Sequence, residues 1–323
     1  MRHSKSIIIS ASIFLCLVVC GYMLCILPLL LGVTRISDNK ARLELAGKLD
    51  TLILGASRIK NGAVPMIIDK KLGCCSYNLA ETAQPLSRMA TLFSLEMDRN
   101  PIKTVIIEVS ESSLNKPAEE NYVSTDCQIF WRLDGIVRKV RYFSQHVSLF
   151  NGEFEDFLAD CLMEALGGWP RLLRAKKADA HDFSKGHQSA KCVAIKSQTE
   201  QETQQLDFTN FKMNLDVLST VVSEAKRKAC RVVVVVAPIS NVVRKRFSNW
   251  DMFQNSVSEF AHARGCEFYN FNMIGDVRFN DECDFSEETH LCAKGAEKFS
   301  VLMCDVLKSE KSHVFASHYV LAQ

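Results

Sequence analysis

Four things are missing from this chain, and each removes a class of function. Net charge is nearly absent: 39 basic against 37 acidic side chains leave +2. A surface that binds nucleic acid is usually strongly basic, so that partner is excluded as the main one. No GxGxxG run follows a strand, which argues against a flavodoxin-like or dinucleotide-binding protein. Of the 13 cysteines, Cys16, Cys20 and Cys25 lie in an apolar N-terminal run, and the others show no metal-ligand spacing. The adjacent pair Cys74-Cys75 suits neither a zinc site nor a redox CxxC. Some cysteines can pair if the domain is exported, and all can stay reduced in an anaerobic cell. Finally, there is no second long apolar run.

The first run is the clearest physical signal. Ile7 to Val33 reads IIISASIFLCLVVCGYMLCILPLLLGV and carries no charge. About 20 apolar residues span a bilayer core, so this stretch crosses with some tilt. Arg2 and Lys5 precede it, which favours an inside N-terminus. A cleaved signal peptide normally has a shorter apolar region. Leu17-Val18-Val19-Cys20 is a weak lipoprotein-type alternative, because Val19 fits poorly beside the cysteine. The preferred expectation is an uncleaved anchor. Residues 1–34 then form a short cytoplasmic tail and transmembrane helix, residues 35–50 a juxtamembrane linker, residues 51–308 the main domain and residues 309–323 a tail.

In the main domain apolar strands alternate with helical patterns. Strands are expected near 51–54, 75–79, 104–109, 231–237 and 266–270, a turn and a short helix over 59–72, and helices near 84–97, 210–229, 251–264 and 295–307. Thr104 to Val109 and the valine run from Arg231 are apolar on both faces, as a covered parallel sheet requires. This predicts right-handed βαβ units in a three-layer α/β/α sandwich. The sheet is mostly parallel, of about five strands, with flavodoxin-like topology. Residues 111–200 break the pattern and read as an insertion, with helical regions near 131–149 and 153–176. Lys176 to Lys196 reads as a solvated basic loop, and residues 272–289 as a polar loop.

Two places carry chemistry. Gly55-Ala56-Ser57-Arg58 follows the first strand directly, and small residues there permit a tight turn and close approach of a ligand. Ser57 is either an exposed nucleophile or merely the cap of the next helix. His290 follows the last core strand among several carboxylates, including Asp284 and Glu287. A histidine can take the proton of a serine hydroxyl, and a carboxylate can orient that histidine. The alternative is a surface histidine in an acidic loop. Strands that run parallel would bring Ser57 and His290 to one sheet edge.

Leu52-Ile-Leu-Gly-Ala-Ser-Arg58, His290-Leu291 and Lys294-Gly-Ala296 together resemble the SGNH/GDSL hydrolase superfamily. The nearest flavour is its membrane-anchored branch, related to DltD-like and alginate-acetylation proteins of bacterial envelopes. The resemblance implies that Ser57 is the nucleophile, with its own N–H in the oxyanion hole, and that His290 is the general base. Glu287 stands where the family has an orienting Asp, three residues before the histidine, and Asp284 is the alternative. Ala80 holds the place of an oxyanion-hole glycine. No GxND follows the third strand; Glu108, Ser110 and Ser112 stand nearby. Cys292 stands where related chains often have Asn.

The implied activity is that of a serine esterase or O-acyltransferase on acyl esters, acetyl above all, of an envelope or exported polysaccharide. It would run through an acyl-serine, with no metal or organic cofactor. The implied partners are membrane lipid through the N-terminal helix, a glycan or acylated polymer, and a membrane acyltransferase. The implied place is the outer side of a bacterial cytoplasmic membrane. The missing glycine and Asn favour an alternative: an inactive SGNH-like domain that binds glycan or scaffolds a polysaccharide-modifying complex.

Overall fold

A computed structural model describes residues 45–117, 139–142, 184–195, 203–273 and 279–309. The chain divides into two compact units, Met1–Lys40 with Asp126–Asp179, and Ala41–Thr125 with Ala180–Gln323. Every element below belongs to the second. The apolar run 7–33, the helical region expected near 153–176 and that near 131–149, save helical residues 139–142, lie outside the described residues. So does the tail beyond residue 309. Among the described residues, no helix is long and apolar enough to cross a membrane.

The sheet has five strands in the order β2-β1-β3-β4-β5: β1 (Thr51–Leu54), β2 (Ser76–Asn78), β3 (Thr104–Glu108), β4 (Arg231–Val236) and β5 (Glu267–Asn270). All pairings are parallel. Successive side chains point to opposite faces, so each strand feeds two cores. Leu52, Leu54, Val105, Ile107, Val232, Val234 and Val236 enter one. Helices α3 (Leu86–Met97), α5 (Phe211–Arg227) and α7 (Trp250–Ala263) cover it through Phe93, Leu218 and Phe253. Ile53, Ile106, Val233 and Val235 enter the other. There α1 (Ser57–Gly62), α2 (Pro65–Leu72) and α8 (Ala293–Lys308) close the layer with Ile59, Ile68 and Phe299. Each buried valine of β4 contributes roughly 1.5–3 kcal/mol. Two short helices, α4 (Glu111–Asn115) and α6 (Asn241–Arg246), follow β3 and β4.

Strand order reverses between β1 and β3. In open α/β sheets the crevice beyond the carboxyl ends of such strands is where ligands bind. The chain leaves β1 there through Gly55, whose φ of 150° lies in the region that favours glycine. A Cβ at this position would lie 2.6 Å from Ile59 Cγ2 and 2.8 Å from Glu108 Oε2. Gly55→Ala should therefore cost about 2 kcal/mol by overpacking, read as a lower urea midpoint.

Two expected loops are different in the structure. Residues 272–289 contain β6 (Phe285–Glu287), which pairs antiparallel with β7 (His290–Leu291). The basic stretch expected to be solvated is, over 185–195, a strap laid on the domain. Gly186 and His187 are buried, and Gln188 N–H donates to Lys60 O at 3.1 Å. Val193 N–H donates to Phe285 O at 2.9 Å, Ile195 N–H donates to Asp281 O at 2.9 Å, and Ala293 N–H returns a bond to Ala190 O at 2.8 Å. Backbone groups make these bonds, so the polar side chains gave no warning of them. A disulfide between Cys192 and Cys292 completes the attachment. Reducing it should cost about 3 kcal/mol, seen as a lower melting temperature in dithiothreitol that Cys192→Ser reproduces without reductant.

Candidate active site

Ser57 is the first residue of α1 and is half-buried. The residue in the cap position is Ala56, and no side chain caps this helix. The Ser57 hydroxyl is therefore not the cap acceptor. Helix α1 packs against β7, with Leu291 Cδ1 3.4 Å from the point where a Cβ on Gly62 would stand. The element that Ser57 opens and the strand that carries His290 are thus neighbours.

The β6–β7 hairpin sets the histidine. Glu287 ends β6 and faces His290 across a two-residue turn, Glu288-Thr289. His290 Nδ1 bonds to Glu287 Oε1, and Thr289 Oγ1 donates to the same oxygen at 2.5 Å. Partial burial pushes the Glu287 carboxyl up, but the bonds from Thr289 and His290 outweigh it and hold it below the usual range. The carboxylate is thereby kept as an acceptor, which fixes the ring and leaves Nε2 to do chemistry. That Nε2 is buried and has no hydrogen-bond partner. The turn is itself anchored, by Ser240 N–H to Glu288 O at 3.2 Å and by an Arg246–Glu288 ion pair at 2.5 Å.

Asp284, the other acid considered, faces elsewhere. It accepts from Asn280 N–H at 2.9 Å and pairs with Lys298 at 2.8 Å. Ala80 is buried, and its N–H donates to Asn78 Oδ1 at 3.1 Å. Asn78 also donates through Nδ2 to Ile59 O at 2.9 Å and Ala63 O at 3.2 Å, so it braces the end of α1. Ser110 caps α4 by accepting from Ser113 N–H at 3.2 Å, and the exposed Ser112 lies 3.1 Å from it, oxygen to oxygen.

Behind the turn lies a charged cluster that the motifs did not reveal. Arg58 is 7 % exposed and makes a two-pronged ion pair with Glu111, Nη1 reaching Oε2 at 2.5 Å. Burial alone would lower the arginine, but Glu111 overrides it, and the charges of Glu108 and Glu287 add to the effect. Arg58 therefore ties the exit of β1 to that of β3 and stands within electrostatic reach of the acid that holds His290. Glu108 is 1 % exposed and accepts from Ala56 N–H at 3.1 Å through Oε2. Its Oε1 is buried with no partner. Burial, helped by the charge of Glu111, pushes this carboxyl up to about 7 against the pull of Arg58 and Ala56 N–H. A charged residue in the otherwise apolar run Thr104–Val109 was the one sequence signal for it.

Among the described residues, no group of His, Cys, Asp and Glu converges as a metal would need. A cavity of about 620 Å³ lies beside α6, with Asn241, Val242, Phe279 and Asp281 in its wall, but neither Ser57 nor His290 lines it.

No protein-family model and no curated protein matches this chain. Solved structures do. One is a protein assigned to the lipolytic G-D-S-L family from Desulfitobacterium hafniense, at 8 % identity and a TM-score of 0.39, covering 79 % of this chain and 98 % of its own. Another is a protein assigned as an acylhydrolase from Bacteroides fragilis, at 8 % identity and 0.40, covering 86 % and 95 %. A third is a GDSL-like lipase from Bacteroides thetaiotaomicron, at 8 % identity and 0.36, covering 84 % and 95 %. Scores this low assign no family; the chain's own architecture, a parallel β2-β1-β3-β4-β5 sheet between two helix layers, is that of a doubly wound α/β sandwich.

Proposed function

We propose that this chain is a serine esterase or O-acyltransferase in which Ser57 is the nucleophile, His290 the general base and Glu287 the group that orients it. One observation carries the reading. The His290 ring is held at Nδ1 by a carboxylate while Nε2 stays buried and unbonded, on a strand packed against the helix that Ser57 opens. In the reaction Nε2 accepts the Ser57 proton as the oxygen attacks an ester carbonyl. The imidazolium then returns that proton to the departing alkoxide. Water attacking the acyl-serine completes hydrolysis, and a sugar hydroxyl completes transfer. Ser57 N–H contributes to holding the oxyanion.

The substrate we propose is an acylated, chiefly acetylated, polysaccharide outside the cell, with the chain anchored by residues 7–33 in a bacterial cytoplasmic membrane. The Cys192–Cys292 bond supports an oxidising compartment. A membrane acyltransferase is the partner expected if acyl groups are delivered rather than removed. The engagement of Ala80 N–H with Asn78 favours a second reading, an inactive domain that binds glycan or scaffolds a complex. A fluorophosphonate probe separates the two. Covalent mass added to the Ser57 peptide, and lost in Ser57→Ala, is expected of the enzyme; no adduct on Ser57 leaves the binding module.

A further inference from the structure

Glu108 has a place in the site that neither the motifs nor the proposed triad assigns. It is the last residue of β3, directly across the switch point from the turn that presents Ser57. Its Oε2 takes Ala56 N–H at 3.1 Å, and consecutive backbone nitrogens are less than about 4 Å apart. The carboxyl therefore lies within about 7 Å of Ser57 N, where an oxyanion would form. It also fills the space that a side chain on Gly55 would need. The turn cannot shift without breaking this bond or pushing the carboxyl aside.

We propose that Glu108 is a positioning residue of the acyl-transfer site: its carboxyl holds the Gly55-Ala56-Ser57 turn, and it does so uncharged when the site reacts. This rests on the hydrolase reading above. An ionised Glu108 would place a buried negative charge beside a second negative charge developing on the substrate oxygen, in a region of low dielectric. A neutral carboxyl accepts the same N–H without that penalty. The groups that face it agree. Arg58, on α1, is already neutralised by the two-pronged grip of Glu111, on α4. Glu287, on the hairpin, adds a further negative charge near Arg58. From β4 the residue in register is Val235, which is apolar. The unpartnered Oε1, inside the fold, is where a carboxylate would be least tolerated. The upward displacement of this carboxyl to about 7 points the same way.

The rate of fluorophosphonate labelling of the full chain in detergent, followed against pH, tests this. Wild type should lose about tenfold in rate between about pH 7 and about pH 9 as Glu108 ionises. Glu108→Gln, neutral and of the same shape, should keep the neutral-pH rate and lack the alkaline fall. A wild-type rate that stays level over that range overturns the proposal, whether or not the variant folds. So does an alkaline fall shared by Glu108→Gln, or a folded Glu108→Gln that is inert at every pH. No labelling of wild type at any pH would instead count against the hydrolase reading. Urea midpoints give a readout free of activity. The folded chain binds the Glu108 proton more tightly than the unfolded one, so wild type should fall behind Glu108→Gln as pH rises from about 4.5 to about 7 and keep that gap above it. A gap that does not change with pH means that the carboxyl is not neutral in the fold, and the proposal fails.

Discussion

Ser57→Ala is expected to cut hydrolysis of p-nitrophenyl acetate by about a thousandfold or more while leaving the thermal melt in place. The chemistry loses its attacking oxygen, and no other hydroxyl stands at the exit of β1. The fold loses little. Ala56, not Ser57, is the cap of α1, and alanine is the better helix former at the position that Ser57 occupies. His290→Ala should produce a loss of similar size. The double variant should be no worse than either single one, because nucleophile and base act as one unit. Full turnover by Ser57→Ala would end the assignment. Two losses that multiply in the double variant would mean that the residues do not act on the same step.

Arg58→Met should destabilise the domain by about 3–5 kcal/mol, visible as a large drop in the urea midpoint. The arginine and Glu111 are both nearly out of water, at 7 % and 9 % side-chain exposure. Removing the cation leaves Glu111 a buried carboxylate without its partner. The expectation has a built-in check. A combined Arg58→Met, Glu111→Leu variant should recover most of the loss, since an apolar pair of similar volume is often tolerated where an ion pair was. A single variant within about 1 kcal/mol of wild type would show that water reaches the pair. The activity of Arg58→Met should fall further than its stability, because Arg58 joins the exits of β1 and β3 on which Ser57 depends.

The sheet was readable in the sequence because parallel strands covered on both sides are continuous apolar runs, and the valines of β4 could be little else. Pro65 at the start of α2 and Gly73 in a left-handed conformation at its end stand where their chemistry demands. The helical faces of α3, α5 and α7 followed from spacing alone. The site was legible only in outline. Ser57 could be placed at a strand exit, but whether it capped a helix depended on the backbone of Ala56. His290 could be placed after β5, but β6 and β7 are three and two residues long, too short for any period to show. The pairing of Arg58 with Glu111 joins residues 53 positions apart, and neither neighbourhood names the other. The strap over 185–195 is held by the side chains of Lys185 and Cys192 and also by main-chain bonds, and the main-chain bonds leave no trace in residue type. Proximity in space, rather than local preference, is what the amino-acid order withheld.

The bond from Cys192 to Cys292 closes a covalent ring around 100 positions of chain, and within it lie β4, β5, α5, α6, α7 and the Glu287–His290 hairpin. The base side of the molecule is therefore a loop with no free end of its own, while Ser57 sits on the open part of the polypeptide. A single protease cut anywhere inside the ring would leave both pieces joined, so a nicked molecule would migrate as one band until the sulfurs were reduced.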